Sequence, residues 1–172
     1  MFLVGPFDSE EHRMVFQKRC EELGVTQAVR VPGYMQHLEA RKSLRTCTVC
    51  IHAYRPLPWL YSNQVLKLAE YMAIGKAAAS WDYPGVRRTL DRGRIGVLAD
   101  PGNLDFLAER VAELLTNNEL RRKFEKSGYE TVAGRFVWSR IGQDVLEVIG
   151  KVVSSNRERS SQDEIALQPS RG

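Results

Sequence analysis

The stretch Asn63–Gly85, NQVLKLAEYMAIGKAAASWDYPG, reads as a helix, a sharp stop, a buried strand and a loop. Val65, Leu68, Ala69 and Met72 recur at helical spacing. Ser62 or Asn63 can cap the start, because a short polar side chain there accepts from a first-turn N–H. Gly75 offers the left-handed residue that ends such a helix. Ala77 to Ser80 is a short apolar run, and Asp82, Tyr83, Pro84 and Gly85 are turn residues. Glu70 stands inside the helix, five residues before the stop.

Upstream the same grammar repeats. Phe2 to Val4 is an apolar strand, followed by Gly5-Pro6. Ser9 opens a helix with Glu10 and Glu11 in its first turn, where the helix dipole favours them. Val15, Phe16, Cys20 and Leu23 form an apolar face that Gly24 stops. Ala28 to Val31 is the next strand, and Pro32-Gly33-Tyr34 a turn. Gln36 to Leu44 reads as a short polar helix, and Cys47 to Ala53 as a third strand. Strands alternating with helices predict a parallel sheet of about five strands, flanked by helices on both faces. Between Arg55 and Asn63 lies a Pro-rich loop with Trp59 and Tyr61, which either line a ligand pocket or pack the loop. In open α/β sheets ligands bind at the carboxyl ends of strands.

Downstream, Val86 to Leu90 is a short helix. Leu104, Leu107, Ala108, Val111, Leu114 and Leu115 then follow a 3.6 period, with Asn103 as cap. Leu120, Phe124 and Gly128 belong to another helix, and a last one opens near Phe136 and runs through Val152. From Ser154 the chain turns polar and loses its period. The sequence therefore divides into a domain over 1–153 and a disordered polar tail over 154–172.

Composition narrows the function. The 172 residues are 43% hydrophobic and 27% charged, enough for one domain with a core. No apolar run is long enough to span a membrane. The opening MFLVGPFDSEE lacks the basic region of a signal peptide. A net charge of +4 suits phosphate-bearing ligands, or peripheral contact with an anionic membrane surface, and is too mild to argue for nucleic acid. Cys20, Cys47 and Cys50 form no disulfide framework, which fits a reducing cytoplasm. Cys47 and Cys50 make a CxxC, but residues three apart on a strand face opposite sides, and no second CxxC completes a zinc site. They read as structural, and no metal is expected. His12, His37 and His52 read as surface or core residues. No Gly-x-Gly-x-x-Gly follows a strand, which disfavours a nicotinamide dehydrogenase.

The string AEYMAIGKAAASWDYPGVRR resembles the nucleotide-sugar-binding motif of GT-B fold glycosyltransferases of the retaining group-one/family-four type. LVGPFDSEE through VRVPGYM, RGRIGVL and ADPG are similar to further family segments, so the resemblance spans roughly Phe2 to Val153. It implies a Rossmann-like donor-binding domain, the C-terminal half of a GT-B fold. It implies that Glu70 hydrogen-bonds the ribose of a nucleoside-diphosphate sugar. The diphosphate would lie over the helix start at Asn63, Gln64 and Val65, because helix N-termini present free N–H groups to anions. Lys67 either reaches a phosphate or is a solvated helix lysine. Gly33 and Tyr34 either lie against the donor base or form a plain turn. Ser62 stands where many members carry another Glu, and Ala77 where they carry Pro.

The family needs no cofactor beyond the sugar donor. Its acceptor-binding N-terminal domain, and the first strand and loop of the donor domain, have no counterpart in this sequence. The resemblance thus implies a donor-domain fragment of a glycosyltransferase, inactive by itself, with the acceptor domain on a separate chain as a candidate partner. The catalytic residues stay unassigned, as do the sugar and the acceptor. The alternatives are a non-catalytic nucleotide-sugar-binding module and a nucleotide-sugar epimerase of the same fold.

Overall fold

The computed structural model describes residues 1–54, 61 and 65–166, with side chains through 155. The chain forms two compact units, Met1–Thr48 and Val49–Gly172.

In the first unit β1 (Phe2–Val4) leads through α1 (Glu10–Glu22) to β2 (Arg30–Gly33), and α2 (His37–Thr46) follows. The two strands pair in parallel. Ser9 caps α1 as the sequence predicts, its hydroxyl accepting from the His12 N–H at 3.1 Å. Gly24 ends the helix with φ 64°. Burial is sparse. Of the predicted α1 face, Cys20 is buried, while Val15 and Leu23 stay exposed.

The second unit holds β3 (Val49–His52), α3 (Leu66–Ala73), β4 (Ala77–Trp81), α4 (Pro84–Thr89), β5 (Val97–Ala99), α5 (Leu104–Thr116), α6 (Asn118–Arg135) and α7 (Trp138–Ala166). Its strands run in the order β3-β4-β5, all parallel, with Val49 beside Ala77 and Ala79 beside Val97. Every position of β4 is buried. Successive strand residues point to opposite faces, so both faces of the sheet are covered. The short side chains of Ala77, Ala78 and Ala79 let helices approach closely. Leu68 and Met72 of α3, Leu107 and Leu114 of α5, and Phe124 of α6 complete this core.

The parallel α/β class is as predicted, but the five strands among the described residues form two sheets, not one. Some boundaries also differ. α3 starts at Leu66, with no side-chain cap from Val65. The expected caps Ser62 and Asn63 lie outside the described residues, as do Gln64 and Trp59. α7 continues to Ala166, across most of the stretch expected to be a tail. No Gly or Pro occurs between Gly150 and Pro169, so nothing in the chain breaks the helix there. Cys47 terminates α2 rather than lying in β3, and its thiol is 3.6 Å from the Ser43 carbonyl. Cys50 is buried in β3.

Candidate functional site: the start of α3 and the strand ends beside it

α3 is anchored by one stripe. Leu68 and Met72 are fully buried. Behind Met72, α6 presents Gly128, where a Cβ would come 3.0 Å from Met72 Cγ. Only a glycine lets the two helices meet this closely. Glu70 is two residues from both Leu68 and Met72, which at 100° per residue turns it to the opposite face of the helix. Its carboxylate is therefore partly open to solvent. Lys67, one turn earlier on the same face, donates from Nζ to Glu70 Oε2 at 2.9 Å. The exposed pair adds less than about 1 kcal/mol to stability. What it does supply is a carboxylate acceptor and an ammonium donor, side by side, near the N-terminal turn of the helix.

The first N–H groups of α3 have no i−4 partner within the helix, by the geometry of any helix start, and the N-cap residue Val65 offers no side-chain cap. The dipole adds partial positive charge there. An anion, a carboxylate acceptor and a lysine can thus be combined within two turns. That is the arrangement an anionic ligand bearing hydroxyl groups requires.

The ends of β3 and β4 are held by groups the sequence reads as core or turn residues. His52 closes β3 and is buried. The Ser80 hydroxyl donates to the His52 carbonyl at 2.8 Å, so its oxygen accepts from His52 Nδ1 at 3.2 Å. Nδ1 then carries a proton, and burial pushes the ring's pKa below the ordinary value, which favours the neutral form. Tyr54 lies tilted against it, with ring centroids 4.8 Å apart and the planes 59° apart. After β4, the Asp82 N–H donates to the Ala99 carbonyl at 2.8 Å. The Asp82 carboxylate receives Arg87 Nε at 2.8 Å and Nη2 at 2.6 Å, a two-pronged bond that fixes the β4–α4 turn. Tyr83 is fully buried, edge-on to Tyr61 at 5.1 Å. Its hydroxyl has no hydrogen-bond partner among the described residues, and burial raises its pKa. Tyr61 thus rests against Tyr83 and stays half exposed. In the sequence Asp82 and Tyr83 read as turn residues, and nothing local marks the partners they find.

The remaining expected residues fall in the first unit. Gly33 has φ 78°, which suits glycine, and lines a cleft of about 700 Å³ with Gly5, Ser9, Arg13 and Phe16. Tyr34 is exposed and does not line it. The structure thus brings Val65, Lys67 and Glu70 together on α3. Among the described residues no group of three or more His, Cys, Asp or Glu side chains could hold a metal ion.

Residues 1–131 match the family model described as glycosyl transferases group 1. The chain belongs to this family. A glycosyltransferase relative is the phosphatidyl-myo-inositol mannosyltransferase of Mycobacterium leprae (strain TN), 33% identical over 156 residues, covering 90% of this chain and 38% of that protein. Among solved structures, Anabaena Alr3699/HepE in complex with UDP-glucose superposes with a TM-score of 0.73 at 19% identity, over 87% of this chain and 40% of that one. The C-terminal domain of the group 1 glycosyl transferase LpcC from Francisella tularensis gives a TM-score of 0.66 at 16% identity, over 75% of this chain and 64% of that one. At these identities the structural likeness carries the fold alone, the Rossmann-like half of a GT-B glycosyltransferase. The chain spans about two fifths of the length of the curated relatives it matches. No helix of the described residues is long and apolar enough to cross a membrane.

Proposed function

We propose that this group 1 glycosyltransferase chain binds a nucleoside-diphosphate sugar at the start of α3, as the donor-binding part of a larger enzyme. The observation that carries the reading is the outward-facing Glu70 carboxylate beside Lys67, next to a helix start whose N-cap residue, Val65, supplies no side-chain cap. Glu70 accepts hydrogen bonds from the ribose hydroxyls, which can both reach one carboxylate. The first-turn N–H groups near Val65 receive the diphosphate, and Lys67 adds a cation to it. The complex with UDP-glucose of a protein of the same fold supports the ligand class.

Sugar transfer also requires that the charge developing on the leaving diphosphate be stabilised where water is excluded. The relatives are more than twice as long as this chain. In this reading the acceptor site and the rest of the cleft come from that additional part. The isolated chain binds donor without transferring sugar.

Calorimetric titration with UDP and GDP, on the wild type and Glu70→Gln, tests this. Loss of a charge-assisted hydrogen bond costs roughly 1.5–3 kcal/mol, about ten- to hundredfold in affinity. Equal affinity in the two proteins would exclude the ribose role of Glu70. No binding of either nucleotide by the wild type would remove the donor site from this chain altogether.

A further inference from the structure

β3 ends in side chains that have no part in holding a nucleotide on α3. The His52 ring is buried and pinned across the sheet, with Nδ1 3.2 Å from the Ser80 hydroxyl, which itself donates to the His52 carbonyl at 2.8 Å. Tyr54, two residues on, rests its ring against this imidazole. His52 is 5% exposed and Tyr54 55%. A fixed, buried ring thus backs a phenol ring that is open at the carboxyl end of β3. A tyrosine offers a flat apolar face and a polar tip, and it holds them with little loss of entropy.

The order of groups in a nucleoside-diphosphate sugar decides what reaches this ring. α3 connects the parallel neighbours β3 and β4, so it starts at their carboxyl ends and runs back along the sheet. With the ribose on Glu70 and the diphosphate at Val65, five residues earlier, the nucleotide spans about 7.5 Å of the helix. The base then lies away from the helix start, and the sugar projects past it, toward the strand ends. At the end of β4 Tyr83 is fully buried and the Asp82 carboxylate is taken up by Arg87. At the end of β3 the sugar meets Tyr54. A hexopyranose carries its hydroxyl groups around the rim and C–H bonds on its faces, so it matches a flat apolar ring with a polar tip.

We propose that Tyr54 is a sugar-binding residue of this site, its ring stacking on the C–H face of the donor's hexose, with His52 and Ser80 as positioning residues behind it. This assignment rests on donor binding at α3.

Calorimetric titration of the full chain with UDP, UDP-glucose, GDP and GDP-glucose is the test, on the wild type, Tyr54→Ala and Tyr54→Phe. For at least one nucleotide the wild type should bind the glucose form about three- to tenfold tighter than the bare diphosphate, the size of an aromatic contact. Tyr54→Ala, at an exposed position, should remove that difference with an unchanged circular dichroism spectrum, and Tyr54→Phe should keep most of it. Glu70→Gln should weaken the bare and glucose forms alike, so the ribose role and the sugar role are read from different ratios. By NMR the glucose C–H protons of the bound donor should shift upfield through the ring current of Tyr54, and not with Tyr54→Ala. A wild type that binds both glucose forms no tighter than the bare diphosphates overturns the proposal. So does a difference that survives Tyr54→Ala, or an equal loss of bare and glucose forms in that variant, which would place the ring against the nucleotide. A wild type that binds none of the four removes the donor site and this assignment with it.

Discussion

The two units of this chain use the same local grammar and reach very different degrees of burial. In Met1–Thr48, β1 is exposed at all three positions, and Cys20 is the single buried residue. In Val49–Gly172, β4 is buried at all five positions and a continuous core forms around it. The strand, helix and turn signals are equally clear in both. What differs is how many elements surround the strands. β4 has parallel strands on both edges and α3, α5 and α6 packed against it, whereas β1 has one partner strand. Local sequence specifies the elements, and enclosure by several of them produces burial and most of the stability.

Truncations should expose this contrast most strongly. Leu68→Ala removes a fully buried side chain and should cost about 2–5 kcal/mol by urea unfolding. Leu23→Ala, on an exposed part of the first unit, should stay within about 0.5 kcal/mol. Equal losses would mean that the first unit is as well enclosed as the second.

A second pair applies one substitution to two settings within the enclosed unit. A Cβ at Gly96 would lie 2.9 Å from the Ala78 carbonyl oxygen and 3.1 Å from Leu90, so Gly96→Ala should destabilise by about 1–3 kcal/mol. At Gly134, inside α6, a Cβ meets nothing within 4 Å, and Gly134→Ala should stabilise by about 0.5–1 kcal/mol. Thermal melts of both variants check the opposite signs.

These cases show what was legible in the sequence. Helix caps at Ser9 and Asn103, the stop at Gly75 and the buried run of β4 depend on neighbours in the chain, and all appear as read. Glu70 was singled out through the resemblance of AEYMAIGK to the family motif, and the spacing of Leu68 and Met72 adds which way it faces. The ring of His52 meets Ser80, and Gly128 meets Met72, across tens of residues, so no local pattern announces either contact. Gly128 was a hint of the α3–α6 approach, but α6 also holds Gly134, which meets nothing, so the glycine alone does not mark the contact. The division of the strands into two sheets was equally hidden, since it depends on which strands pair rather than on which segments are strands.

A smaller effect concerns pH. The folded-state pKa of His52 is lowered from its ordinary 6.5 by burial, so the unfolded chain binds more protons in the window between the two values. The stability that His52 contributes is complete above pH 6.5 and declines as pH falls through that window. His52→Gln should flatten this part of a stability-versus-pH curve, measured by urea midpoints. An unchanged slope would show that the ring is not buried neutral.

The smallest expected change is at Tyr83. Its buried hydroxyl has no partner among the described residues, and an unpaired buried hydroxyl is unfavourable. Tyr83→Phe should therefore leave stability unchanged or raise it by up to about 1 kcal/mol, read as a small upward shift in Tm. A clear loss would reveal a hydrogen bond to this hydroxyl in solution.

The central claim is that the enclosed unit presents a nucleotide site at the start of α3. Backbone amide NMR of the labelled chain during titration with UDP, and separately with GDP, tests it residue by residue. The account predicts saturable shifts, with at least one of the two, concentrated at Val65, Leu66 and Lys67, where free N–H groups meet the diphosphate, and at Glu70. Glu70→Gln should abolish or weaken them about ten- to hundredfold, while the amides of β4 stay in place. Saturable shifts that leave the first turn of α3 unmoved would contradict the account.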